Sequence, residues 1–217
     1  MKSRTTLLPF ETRLLRSGDP AAVQEAAGYL RQGQPVVFPT DTVYGIGVNP
    51  FDGQAIERLY EIKQRPPEKG IPILLADKAD LEKVAASVPV VAQHLIDKHW
   101  PGPLTLIVPR HPELPAILSP NGNIAVRIPD HPVARELIRA AGGAIATTSA
   151  NLSGQQPATS GLEALAAFNG TVTVVIDDGP SPGSVSSTIV DCTIDFPTVL
   201  RVGPLSAIEL GLEPMHR

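Results

Sequence analysis

Apolar positions follow two rhythms along this chain. Short continuous runs, at residues 35–39, 71–76 and 172–176, have the length of strands buried on both faces. Residues 104–108 form another such run, and residues 124–128 alternate apolar positions up to Arg127. Residues 144–147 read as a strand entering a polar loop, and 188–191 and 198–202 as the last strands. Between these runs the apolar spacing lengthens to three and four. Ile56, Leu59, Tyr60 and Lys63 share one helical face.

Local punctuation bounds the helices. Asp19-Pro20 reads as an N-cap followed by Pro in the first turn, with Gly33 closing that helix. Asp52 caps the helix that carries Lys63, and Pro66-Pro67 stops it. Further helices are expected at residues 78–86, 90–99, 131–141 (ended by Gly142-Gly143), 160–168 and 204–210. Helices interleaved with short buried strands predict an α/β sheet covered by helices. The longest irregular stretch, residues 177–187, is loop-sized and no repeat is visible, so a single domain is expected.

Composition narrows the class. Of 217 residues, 42% are hydrophobic and 18% charged, which supports a core and argues against disorder. The 18 Lys and Arg against 22 Asp and Glu leave a net charge of −4, so any contact with nucleotide or nucleic acid has to be local. One cysteine, Cys192, excludes an intramolecular disulfide and a multi-cysteine zinc site, and fits a reducing cytoplasm. No run approaches the roughly 18 apolar residues of a membrane span, and the start of the chain lacks a signal-peptide pattern.

Several standard sites do not occur. The run Gly45-Ile46-Gly47-Val48-Asn49-Pro50 has Pro where a dinucleotide fingerprint needs its third Gly. There is no phosphate-binding G-x-x-x-x-G-K-[ST] loop, and the five histidines are scattered. Three polar clusters instead lie where strands end, the usual place for ligands in open α/β sheets. Thr40-Asp41-Thr42-Val43-Tyr44-Gly45 offers hydroxyls for a small polar substrate, or is a turn of backbone-bonding side chains. Lys63, Arg65 and Lys69 form a local anion site suited to polyphosphate, or are cations favoured at a helix C-terminus. Lys63 is expected either to snorkel outward or to point into a cleft. Ser149 and Asn151, two apart in an extended segment, share a side and suit phosphate or ribose, or simply make a turn. Arg127 and Arg201 are isolated cations in apolar strands, each pairing with an acid or facing a ligand anion. No nucleophile–base arrangement stands out, which points to phosphate positioning and charge stabilisation.

Taken together and in order, these segments resemble the YrdC-type threonylcarbamoyl-AMP synthase family. The likeness runs over roughly residues 36–203 and rests on Phe38-Pro39-Thr40-Asp41-Thr42-Val43-Tyr44-Gly45, Lys63-Gln64-Arg65-Pro66 and Trp100-Pro101-Gly102-Pro103-Leu104-Thr105. It continues through Val126-Arg127-Ile128-Pro129, Ser149-Ala150-Asn151-Leu152-Ser153-Gly154, Ser187-Thr188-Ile189 and Leu200-Arg201-Val202-Gly203. The resemblance implies a twisted, open, mixed α/β sheet flanked by helices with a large basic cleft. It implies one domain over residues 1–217, core about 19–203, without the extra C-terminal domain of longer members.

The implied reaction joins L-threonine, bicarbonate and ATP into threonylcarbamoyl-AMP and pyrophosphate, with Mg²⁺ carried on the phosphates and no protein-built metal site. The product would serve threonylcarbamoyladenosine formation at tRNA position 37, through tRNA-modification proteins that accept it and with at most weak tRNA contact. By matching positions, Lys63, Arg65, Ser149 and Asn151 would be the catalytic tetrad. Arg65, Lys69, Asn123, Ser149 and Arg201 would contact ATP. Thr42, Tyr44, Arg127, Thr147 and Ser187 would hold threonine. Three positions depart from the family pattern: Gly70 stands where Pro is common, Leu74 where some longer members have His, and Ser186 where they have Glu.

Two other readings compete. A non-catalytic RNA-binding module would use the basic cleft, but the negative net charge and 4% aromatic content count against it. A carbamoyl-transfer domain of a larger maturation enzyme would bring a zinc-finger cysteine pattern that this chain lacks.

Overall fold

A computed structural model describes residues 11–183 and 185–212. Its strands are β1 (Arg13–Arg16), β2 (Val36–Phe38), β3 (Gly45–Val48), β4 (Ile73–Leu75), β5 (Leu104–Pro109), β6 (Asn123–Arg127), β7 (Ala144–Ser149), β8 (Val174–Asp177), β9 (Thr188–Asp191) and β10 (Thr198–Arg201). They form one mixed sheet in the order β1-β8-β2-β3-β7-β4-β6-β5-β9-β10. The helices are α1 (Ala22–Arg31), α2 (Gly53–Lys63), α3 (Val90–His99), α4 (Pro132–Ala140) and α5 (Gly161–Phe168).

Period-two side-chain alternation divides the core into two layers. Val36, Phe38, Leu74, Ile145, Val174 and Ile176 face α1 and α4, which bring Ala26, Leu30, Leu137 and Ile138. Val37, Ile73, Leu75, Ala146 and Val175 face the opposite layer, built from α2, α3 and α5 through Ile56, Leu59, Leu95, Ile96 and Phe168. Each such aliphatic side chain contributes about 1.5–3 kcal/mol on full burial, so both faces of the sheet need their cover. Asp52 caps α2 as its sequence position suggests, accepting from the amides of Gln54 (3.0 Å) and Ala55 (3.1 Å).

Several expectations need correction. β1 and β3 are strands that apolar spacing does not announce. β3 carries glycines because its neighbour leaves no room: a Cβ on Gly47 would lie 2.5 Å from the Ile145 side chain, and one on Gly45 2.9 Å from Thr147. The first helix starts at Ala22; Asp19 instead closes a turn by accepting from the Ala21 amide at 2.9 Å. Residues 78–86 contain a short 3₁₀ helix, Lys78–Lys83, because Asp77 and Asp80 satisfy each other's amides at a three-residue spacing. Residues 204–210 form turns without a helix, and β7 extends to Ser149.

Candidate active site

The floor of the site is a row of residues running across the sheet. Leu74 of β4 pairs with Arg127 of β6. The antiparallel register of β5 on β6, Leu106 against Val126, sets Thr105 beside Arg127. Thr105 pairs with Ile189 of β9, and Ile189 with Arg201 of β10. All five residues line one open cleft of about 180 Å³. A bulge between Val199 and Arg201 decides the last position. A one-residue slip turns side chains to the other face of a sheet, so the bulge delivers Arg201 to the cleft and leaves Leu200 exposed.

Arg127 is 5% exposed, and burial lowers its pKa while Asp41 opposes that shift. Its Nε donates to the Gly102 carbonyl at 2.9 Å and one terminal nitrogen to Thr42 Oγ1 at 3.0 Å. The other terminal nitrogen pairs with the Asp41 carboxylate. A guanidinium has five N–H donors, so among the described residues one N–H on each terminal nitrogen remains for a ligand. The Thr42 hydroxyl lies 3.1 Å from Thr40 Oγ1, which itself donates to the Val43 carbonyl at 2.6 Å. This short chain fixes the direction of both threonine hydroxyls.

Arg65 and Arg201 are held differently. Arg65 donates to the carbonyls of Lys69 and Gly70, both at 2.8 Å. Arg201 donates to the Ser187 carbonyl at 2.9 and 2.7 Å and to Ser187 Oγ at 3.2 Å. Among the described residues neither forms an ion pair. Burial lowers the pKa of both, and the nearby charges of Arg127 and Arg65 lower that of Arg201 further. Cations that repel one another in a half-buried cleft make a place for an anion.

Gln64 explains how Lys63 and Arg65 come to point different ways. It closes α2 with a positive φ of 49°, while the Arg65 amide reaches back to the Tyr60 carbonyl and the Gln64 amide to that of Glu61. This Schellman closure usually falls on glycine. It turns the chain so that Arg65 lines the cleft while Lys63 points beneath it, 1% exposed. The Lys63 ammonium donates to the carbonyls of Ser149 and Asn151 and to Asn151 Oδ1 at 3.2 Å. Burial, then the charge of Arg65, push its pKa down to about 7. Ser149 Oγ in turn donates to Asn151 Oδ1. Lys63, Ser149 and Asn151 are thus one hydrogen-bonded unit, of which Ser149 reaches the cleft surface.

The family model for Sua5/YciO/YrdC proteins, described as telomere recombination, matches residues 28–203. The chain belongs to the Sua5/YciO/YrdC family. A Bacillus subtilis threonylcarbamoyl-AMP synthase is 38% identical over 206 residues, covering 93% of this chain and 59% of the relative. Pyrococcus abyssi Sua5, solved in complex with L-threonine, superposes with a TM-score of 0.87 at 35% identity, covering 93% of this chain and 60% of that one. The chain therefore spans about three fifths of the length of these two relatives. Escherichia coli YciO superposes with a TM-score of 0.81 at 27% identity, covering 92% of this chain and 98% of its own. The open mixed sheet flanked by helices is the fold of these Sua5/YciO proteins.

Within this family fold the expected site residues separate into three groups. Thr42, Tyr44, Arg65, Arg127, Thr147, Ser149, Ser187 and Arg201 line the cleft together. Lys63 and Asn151 support it from below. Lys69 and Asn123 are not among the lining residues: Lys69 is exposed in a 3₁₀ turn, and Asn123 binds Thr193 Oγ1 at 3.1 Å at the far end of β6. The Tyr44 hydroxyl donates to the Gly179 carbonyl at 2.6 Å and accepts from the Asp178 amide, and burial pushes its pKa up to about 12. Tyr44 therefore ties the segment after β8 to the cleft wall. Neither Asp41 nor Thr105 has a role assigned from the sequence; the visible signal for Thr105 is a hydroxyl inside an apolar strand. No helix among the described residues is long and apolar enough to cross a membrane.

Proposed function

We propose that this chain condenses L-threonine, bicarbonate and ATP into L-threonylcarbamoyl-AMP and pyrophosphate, acting as a nucleotidyltransferase. The observation that carries the reading is the convergence of Arg65, Arg127 and Arg201, from three distant segments, on one hydroxyl-lined cleft in a chain of net charge −4. The names of the relatives and the L-threonine bound to the Pyrococcus abyssi protein support the choice of substrates.

In this reading the two open N–H groups of Arg127 take the threonine carboxylate, and Thr42 offers its remaining lone pair to the ammonium. Thr147 and Ser187 close the amino-acid pocket, and Tyr44 shapes it. The threonine ammonium and bicarbonate give the carbamate, water and one proton. A carbamate oxygen then attacks the α-phosphorus, and pyrophosphate leaves with the electrons of the broken P–O bond. Arg65 and Arg201 bind the phosphate oxygens and stabilise the charge that develops there, with Ser149 as a hydroxyl donor. Lys63 and Asn151 hold Ser149 in place, and Lys63, when protonated, adds positive charge from beneath. Lys69 and Asn123 would reach ATP only at its outer end.

The guanidinium and hydroxyl lining fits phosphate oxygens, so ATP would arrive as its Mg²⁺ complex. The metal would supply neutralisation of phosphate charge. The product would pass to proteins that modify adenosine 37 of tRNA in the cytoplasm.

Pyrophosphate release tests the reading. Release that needs ATP, L-threonine and bicarbonate together is expected. Release independent of threonine, or tight RNA binding without turnover, would contradict it.

A further inference from the structure

Thr105 stands between the two cationic ends of the cleft and has no part in the mechanism so far. It is 4% exposed, lines the cleft, and lies one strand from Arg127 and two from Arg201. Neighbouring strands are about 4.8 Å apart, so the row places Thr105 roughly 5 Å from the first station and 10 Å from the second. An amino acid held by its carboxylate at Arg127 projects its amine, and any carbon added to that amine, by about one such spacing.

Hydrogen-bond direction supplies the second argument. Arg201 can only donate, and its Nη2 reaches Ser187 Oγ at 3.2 Å. Ser187 Oγ and Thr105 Oγ1 are 2.7 Å apart. Either hydroxyl can donate across this contact; where Ser187 gives its one proton, Thr105 is the acceptor in reach. The Thr105 hydroxyl proton then has no partner among the described residues. The chain Arg201 → Ser187 → Thr105 ends in an open donor, polarised by a full charge, in the middle of the cleft.

We propose that Thr105 is a substrate-contacting residue that donates its hydroxyl proton to an oxygen of the one-carbon unit, as bicarbonate and then as carbamate. The proposal rests on the reaction proposed above. The site binds a small carboxylate-like anion between the amino-acid carboxylate at Arg127 and the phosphates at Arg201. Phosphate drawn to Arg201 can leave the Ser187–Thr105 contact in place, because the bond to Ser187 Oγ uses only one of the guanidinium's five N–H donors.

The test is steady-state pyrophosphate release with each substrate varied in turn. Thr105→Val, close in shape, is expected to raise KM for bicarbonate about tenfold or more, with KM for ATP and L-threonine within twofold. Thr105→Ser is expected to recover most of the bicarbonate affinity. Ser187→Ala, which cuts the relay one step earlier, should share the bicarbonate defect, and the double variant should raise the bicarbonate KM no further than Thr105→Val alone. An unchanged bicarbonate KM in a Thr105→Val protein with wild-type circular dichroism would overturn the proposal while leaving the reaction standing. If Thr105→Val does not fold, the bicarbonate KM of Ser187→Ala decides in its place. A wild-type protein that releases no threonine-dependent pyrophosphate would overturn the reaction and the proposal together.

Discussion

The two cationic ends of the cleft are built in opposite ways. At one end Arg127 is buried, clamped at three nitrogens, and compensated by the Asp41 carboxylate, whose side chain is 11% exposed. At the other end Arg65 is partly buried and Arg201 exposed, and they are tethered only by backbone carbonyls and the Ser187 hydroxyl. A compensated cation suits a ligand that itself carries both charges, because binding leaves no net charge underground. An uncompensated pair attracts a polyanion. In the proposed reaction, the placement of a single carboxylate would sort the zwitterion from the triphosphate within one cleft.

Removing that carboxylate should have the largest effect on the fold. Asp41→Ala leaves the Arg127 charge buried without its partner, a change that typically costs 3–5 kcal/mol. Chemical denaturation should show a loss of this size. A loss below about 1 kcal/mol would mean that Arg127 is not compensated as described. Arg65→Ala and Arg201→Ala should do the reverse, lowering turnover by about 10²–10³ while thermal melting changes little. Unfolding of either variant would erase the contrast between the two ends.

Lys63 sharpens the comparison through pH. Its pKa falls to about 7 in the fold, from 10.5 for the unperturbed side chain, chiefly by burial and then by the Arg65 charge. The unfolded chain therefore holds more protons than the folded one between these values, and stability should rise with pH from about 7 to 10.5. The difference in melting temperature between wild type and Lys63→Met should carry that slope. A flat difference would place the ammonium in a more polar setting than the structure gives it. The smallest effect is a control outside both ends: Asp52→Ala removes the α2 cap and should cost about 1 kcal/mol with activity retained, measured by urea denaturation and pyrophosphate release.

Much of the scaffold was legible in the sequence. The helix that ends at Lys63 shows its face, its cap and its stop, and α4 and β2 are equally plain. β3 was not, because Gly45 and Gly47 are dictated by Thr147 and Ile145 on the neighbouring strand, a fact about pairing rather than local pattern. The site was legible as a set of residue types and only partly as geometry. The spacing of Lys63 and Arg65 did not show that Gln64 would turn one beneath the cleft and the other into it. Nor did it show that Lys69 would sit on the surface. The row that joins Arg127, Thr105 and Arg201 depends on strand register and on one bulge, neither of which the chain displays in one dimension.

In the proposed function a single cleft seats an amino acid at Arg127 and a triphosphate at Arg65 and Arg201. A crystal structure with L-threonine and a non-hydrolysable ATP analogue tests it most directly. The threonine carboxylate is expected on the open N–H groups of Arg127 and the phosphates on Arg65 and Arg201, with the amine directed toward the α-phosphorus. Either ligand bound outside this cleft, or the phosphates on Arg127, would contradict it.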